Sequence, residues 1–512
     1  MKALKSAIIH PYLFAIFPIL SLFFRNRTQA GLSEVILPIT VFVTLGFLLF
    51  RLGKYFFRDK YKSGVAVSFF MIIFFSYRDV YFKTKNLKLG SFVLGTDLHI
   101  LVAGAMILAA SSWGVKKWKS SFPVLTAYLN ITALILVLSS AYNIGAYEVN
   151  RARSLKANKM LSEYLKPIKS DSKTLNRAQN KPDIYYIILD TYARADTLKK
   201  NFNYDNSKFI KRLEKKGFYV AKKSSSNYTF TQLSLASSLN MEHLNGVSKV
   251  VSKNSQDPTV PYLMISNNKV AKLLKADGYK FVHFSTGWGP TRSNKWADIN
   301  YAYFPYVLDD FNRVLLESTA LAPLTRSYVK THARKRILYN FQKLGEVPKI
   351  KEPTFTFAHL VIPHQPYLFD RNGNPVGLGR FEMGGKVWRY KKPYLEQLIY
   401  ANKRVEGVIN KILKNSKTPP IIILQSDHGP SSITGWDNPS RELLNERMNI
   451  LNAYYLPGDG KKVLYPSITP VNSFRLIFNQ YFGAKFQRHE DKSYFSTKVK
   501  PYGFIDVTDR LK

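Results

Sequence analysis

Five apolar runs crowd the first 150 residues, at 6–24, 34–50, 64–82, 93–113 and 122–142. Each approaches or exceeds the roughly 18 to 20 residues an α-helix needs to cross a bilayer. Inside a bilayer the backbone must satisfy its own hydrogen bonds, and a helix does this within one segment. The expectation is therefore a membrane domain of five transmembrane helices over 1–142. Lys2 and Lys5 precede the first run, but no small-residue cleavage site follows it, so it is read as a retained anchor rather than a removed signal peptide.

Basic residues in short loops favour the cytoplasmic side. The loop after the second run carries Arg51, Lys54, Arg58, Lys60 and Lys62, and the loop after the fourth carries Lys116, Lys117 and Lys119. The opposite loops hold Arg25 and Arg27, then Lys83, Lys85 and Lys88. This bias predicts a cytoplasmic N-terminus, with everything after the fifth run outside the cytoplasm. The net charge is +41; residues 1–150 hold 16 basic and 5 acidic side chains, which leaves +30 on the remainder. For an extracytoplasmic segment that charge points to an anionic membrane surface or anionic substrate, not to nucleic acid. With no cysteine in the chain, disulfides and thiolate chemistry are excluded.

Residues 143–182 are polar and basic, and are read as a juxtamembrane helix followed by a linker. From 183 to 512 the pattern changes. Strand-like apolar runs at 183–190, 280–284, 354–362, 420–426 and 450–456 alternate with helical patterns at 266–277, 394–414 and 471–482. Near-continuous apolar strands between helices predict an α/β domain with a central, mostly parallel sheet covered on both faces. The stretch 286–349 is rich in aromatic and basic residues and reads either as a membrane-interface lid or as an insertion packed on the domain.

Ligands in such sheets bind beyond the carboxyl ends of the strands. "IYYIILD" ends on Asp190, which by pattern alone is either a helix cap or a ligand. "IIILQSDHG" leads into Asp427 and His428, an oxygen and imidazole pair suited to Zn, Mn or a similar divalent ion, or else a strand-end turn held by side-chain hydrogen bonds. "SNYTFTQLSLASSLN", 226–240, packs seven hydroxyls with no activating group of its own.

"IILDTYARADTL" followed by "YDNSKFIKRLEKKGF" resembles the opening of the alkaline phosphatase and sulfatase superfamily, and "QSDHG" resembles its second metal motif. The resemblance covers about 183–505. Set against the sulfatase pattern Cys-x-Pro-x-Arg-Ala-Ser, "TQLSLAS" places Thr231 at the nucleophile, Leu233 at the proline and Leu235 at the arginine. Sulfatases that use formylglycine need Cys or Ser there. A threonine instead resembles lipoteichoic acid synthases and lipid A phosphoethanolamine transferases, which also put five transmembrane helices before the catalytic domain.

That resemblance implies an alkaline phosphatase-like catalytic domain in which Asp190, Asp427, His428 and Thr231 hold one divalent metal ion (Zn, Mn or Mg) and Thr231 is the nucleophile. His364, in "HQPY", resembles a histidine that contacts the transferred group, and serves as substrate binder or general acid. Thr229 is the rival hydroxyl. Asn227, Arg194 and His359 are candidate substrate contacts, and Arg447 is a further candidate for a phosphate oxygen. His359 reads equally as a core residue of its strand. The expected function is transfer of a phospho-alcohol head group from a membrane phospholipid donor to an envelope lipid or glycan acceptor through a covalent phospho-threonine. The alternatives are a membrane-anchored phosphodiesterase, phosphatase or sulfatase-like hydrolase using water, and a non-catalytic envelope scaffold.

Overall fold

The computed structural model describes residues 6–511 except 28–29, 90–91, 94, 158–180, 304–309 and 377–388. The chain divides into two units, Met1–Arg153 with Val307–Val329, and Ser154–Tyr306 with Lys330–Lys512.

The N-terminal part of the first unit is built on the helices α1 (His10–Asn26), α2 (Ser33–Phe57), α3 (Lys60–Thr84), α4 (Asp97–Lys117) and α5 (Pro123–Ala157), the last running on past Arg153. α2, α3, α4 and the Pro123–Ala152 portion of α5 are long and apolar enough to cross a membrane. α1, with 17 residues, falls just short of 18 among the described residues. Helix starts follow local chemistry. The Asp59 carboxylate accepts the Tyr61 and Lys62 amides and caps α3, and the Thr96 hydroxyl accepts the His99 amide at the start of α4. The sequence reading separates the fifth span from a juxtamembrane helix, whereas α5 runs unbroken from Pro123 to Ala157 because nothing between them ends a helix. Most of the linker, 158–180, lies outside the described residues.

The second unit is built on a seven-stranded sheet: β1 (Ile184–Leu189), β2 (Tyr219–Val220), β3 (Lys280–Phe284), β4 (Ile299–Tyr301), β5 (Thr354–Leu360), β6 (Ile421–Gln425) and β7 (Asn452–Tyr455), in spatial order β2-β7-β6-β1-β5-β3-β4. The five strands from β6 to β4 are parallel, and β7 and β2 run antiparallel at one edge. β1 is central and fully buried along its length, which is why "IYYIIL" needs no polar alternation. Tyr186 of β1 stacks on Phe357 and meets Phe474 edge-on. Its hydroxyl bonds Gln425 Oε1 of β6 and Ser238 Oγ, both at 2.8 Å. Ser238 belongs to α6 (Thr231–Asn240), so one buried phenol ties two strands to the helix that begins at Thr231. Two helices from the region after the sheet's fourth strand, α7 (Asp310–Ser318) and α8 (Ala322–Leu344), follow β4 in the chain.

Candidate metal centre and nucleophile

Strand register assembles the site. Ile188 of β1 lies opposite His359 on one side and Gln425 on the other. Asp190, one residue past β1, therefore meets His359 near the end of β5 and the Ser426-Asp427-His428 turn past β6. Thr191 sits at φ 65°, an uncommon left-handed conformation for a β-branched residue. That turn aims its amide at Asp427 Oδ1, 3.2 Å away. Gly429 is required because a Cβ there would lie 2.0 Å from the Glu446 carbonyl oxygen.

His359 Nε2 is 3.2 Å from Asp190 Oδ2, and His428 Nε2 is 3.2 Å from Asp427 Oδ2 and 2.9 Å from the Thr231 hydroxyl. Asp190, Asp427, His359 and His428 are all 3% exposed or less. One ligand atom from each of Asp190, His359 and Asp427 lies within 4.8 Å of the others, a set that can hold a cation. Asp190 Oδ1 and Asp427 Oδ2 are buried and make no hydrogen bond. Buried carboxylate oxygens without a donor are costly, and a divalent cation is the group that satisfies them. The residues thus fit a metal with oxygen and imidazole ligands.

Electrostatics agree with that fit. Burial opposes ionisation of Asp190, but the His364 charge together with the hydrogen bond and charge of His359 outweighs it, holding the carboxyl well below the ordinary range. Burial and then the Asp190 charge push Asp427 up to about 7. His428 is held far below its ordinary value by burial and then by the Arg447 charge, so it is neutral. His428 Nδ1 lies 3.0 Å from the Gly429 carbonyl, which only accepts. The proton is therefore on Nδ1, and the Nε2 lone pair faces Thr231 and Asp427.

Thr231 is the first residue of α6, and no side chain caps that helix end. Its amide end is thus suited to an anion. The preceding loop is fixed by its own polar groups. Asn227 gives its Nδ2 to Lys492 O and takes the Val471 amide on Oδ1, both at 2.8 Å, which holds the loop before Thr231. Thr229 Oγ1 bonds Tyr494 O and the Ser496 amide, which removes it as a rival nucleophile. Arg194 forms a bidentate pair with Asp196 and donates to Ser224 O at the start of the helix that follows it. His364 hangs from the turn after β5, its amide donating to Asp190 O at 3.2 Å, and its side chain is partly exposed.

Two residues carry more than their pattern conveyed. His359, within a strand, joins the carboxylate pair, and the hydroxyl of Thr291 orients it at 3.0 Å from Nδ1. Only the pairing of β5 with β1 puts it there. Arg447 is 5% exposed and bridges the two walls: Nε donates to Thr229 O at 2.8 Å and Nη1 to Gly429 O at 2.7 Å. Burial lowers its pKa to about 10, which leaves it charged at neutral pH.

An apolar helical unit joined to an α/β domain with buried acids and histidines at the strand ends defines a membrane-attached protein of the alkaline phosphatase and sulfatase superfamily. Residues 182–474, more than half of the chain, match the Sulfatase family, and the chain belongs to it. No curated protein matches the chain. Similar solved structures include the C-terminal periplasmic domain of EcEptC from Escherichia coli in complex with Zn, at 14% identity and TM-score 0.44, covering 65% of this chain and 96% of that one. Another is the integral membrane protein lipooligosaccharide phosphoethanolamine transferase A from Neisseria meningitidis, at 12% identity and TM-score 0.41, covering 93% and 95%. A third is the putative sulfatase yidJ from Bacteroides fragilis, at 14% identity and TM-score 0.37, covering 62% and 82%. At these values the likenesses assign no substrate.

Proposed function

We propose that the chain is an inner-membrane, metal-dependent transferase that moves a phospho-alcohol head group from a membrane phospholipid to an envelope lipid or glycan, with residues 183–512 as its extracytoplasmic catalytic domain. The observation that carries the reading is the Thr231 hydroxyl, on an uncapped helix N-terminus 2.9 Å from a neutral His428 Nε2 and beside two open carboxylate oxygens. A metal bound by Asp190, Asp427 and His359 would neutralise charge on a phosphoryl oxygen and favour ionisation of a hydroxyl beside it.

The residues of the chain supply the rest. Thr231 Oγ attacks phosphorus and its proton passes to His428 Nε2; the bond from phosphorus to the lipid alcohol breaks, and His364 protonates the departing oxygen. The threonine then carries the phosphoryl group. An acceptor hydroxyl, deprotonated by His364, attacks in turn, and Thr231 leaves and recovers its proton. The amides at the start of α6 stabilise the negative oxygens throughout.

The test uses purified full-length protein with head-group-labelled phospholipid vesicles and an envelope lipid extract. The expected results are a labelled acceptor and, on brief reaction, a peptide containing Thr231 heavier by one phospho-alcohol unit. Thr231→Ala should lose at least 1,000-fold in rate while melting within about 1 kcal/mol of wild type, since a hydroxyl deletion at this nearly buried site removes little packing. Release of free phospho-alcohol with no labelled acceptor would replace transfer by hydrolysis. Wild-type rates in Thr231→Ala would remove the nucleophile assignment.

A further inference from the structure

The sheet strands β4 and β5 are separated by a long excursion whose middle belongs to the other unit: Val307–Val329 clusters with the apolar helices, not with the sheet. α7 shows why. Its sequence, "DFNRVLLES", places Phe311 and Leu315 one turn apart on a single face. Both are buried, in one apolar cluster with Phe23 of α1, Phe42 of α2, and Met71 and Phe74 of α3. The Phe311 and Phe23 rings meet edge-on with centroids 6.2 Å apart. The Ala320 amide donates to the Phe74 carbonyl at 2.9 Å.

Depth follows from helix geometry. Phe74 precedes the end of α3 at Thr84 by ten residues, about 15 Å of rise, so the excursion reaches well below that helix end. Arg326 then forms a bidentate pair with Asp97, at 2.7 and 3.2 Å, at the start of α4. Asp97 Oδ1 also accepts the Tyr77 hydroxyl at 2.5 Å. Next to this pair on α8, Leu324 and Tyr328 are 75% and 54% exposed, an aliphatic and an aromatic side chain placed as in a lipid interface belt. Apolar burial, a backbone bond and a charge clamp thus converge on one segment.

We infer that residues 310–329 are a re-entrant membrane anchor: this part of the loop between β4 and β5 is seated among α1, α2 and α3, giving the catalytic domain a second attachment to the membrane besides the linker. Its consequence for the reaction, that the site draws its donor from the lipid phase, rests on the transferase reading above; the attachment itself does not.

The experiment separates the two. A protease site is inserted in the linker between 166 and 180 of the full chain, the protein is folded and purified into vesicles, and only then is it cut. After a high-salt wash, the catalytic fragment should stay with the membrane in wild type. It should be released from the double variant Phe311→Asp, Leu315→Asp, which is tested the same way. Because the chain has no cysteine, a Phe74→Cys, Ala320→Cys pair should also form a disulfide between the fragments under mild oxidation. Release of the wild-type fragment by the wash, or equal retention of the double variant, overturns the anchor. Absence of lipid transfer by the uncut wild-type protein would instead overturn the transferase reading and leave the retention result standing.

Discussion

Asp427 makes the site sensitive to pH in a stated direction. Burial and the neighbouring Asp190 raise its pKa to about 7, above the ordinary carboxyl value it has when unfolded. The metal-free fold therefore binds this proton more tightly than the unfolded chain. Its contribution to stability is complete at low pH and is lost as pH rises through about 7. A cation needs the ionised form, so the proton competes with it. Metal affinity at this site should fall about tenfold per pH unit below about 7, read by competition with a coloured chelator, and Asp427→Asn should flatten that slope while weakening binding overall. An unchanged affinity from pH 5 to 8 would show that Asp427 does not hold the ion. Arg447 allows a second measurement. Lysine cannot reach both Thr229 O and Gly429 O from one head group. Arg447→Met leaves both carbonyls without their charged donor and should lower stability by about 2 to 4 kcal/mol in denaturant titration, while Arg447→Lys recovers part of it.

Elements, rather than single residues, decided what could be read beforehand. The apolar runs at 183–190, 280–284, 354–362, 420–426 and 450–456 are β1, β3, β5, β6 and β7, because strands buried on both faces announce themselves by continuous hydrophobicity. β2 and β4, of two and three residues at the sheet edges, have no such run and no period to detect. Asp190 and the Asp427-His428 pair were legible because each follows an apolar strand directly. His359 reads from the sequence as a substrate contact or a core residue, and its place beside the two carboxylates follows only once β5 is known to lie beside β1 in register. Arg447 reads from the sequence as a candidate for a phosphate oxygen, and its bridging role is hidden there because its two acceptors come from 218 and 18 residues away. The turn after β6 offers a test at this scale. Gly429→Ala would force a methyl to 2.0 Å from the Glu446 carbonyl and push the Asp427-His428 turn off its position. Metal binding should drop at least tenfold with the overall fold kept by circular dichroism; wild-type affinity would show that the turn tolerates the shift.

For the whole molecule the asymmetry of charge matters more than its total. Residues after 150 carry +30 of the net +41, and they include the domain proposed to face an anionic outer leaflet. Attraction between a basic surface and anionic lipid acts over a Debye length, about 10 Å at 0.1 M salt and about 3 Å at 1 M. For the proposed transfer it would concentrate a lipid donor at the surface without entering the chemistry, because Thr231, Asp190, Asp427 and His428 are buried and screened little by salt. The two contributions therefore separate in kinetics. With donor lipid in anionic vesicles, raising salt from about 0.1 to about 1 M should raise the apparent KM several-fold and leave kcat unchanged. In vesicles of neutral carrier lipid the KM should be nearly flat over the same range. A fall in kcat with constant KM would place the salt-sensitive charges at the reacting phosphoryl group instead of on the membrane-facing surface.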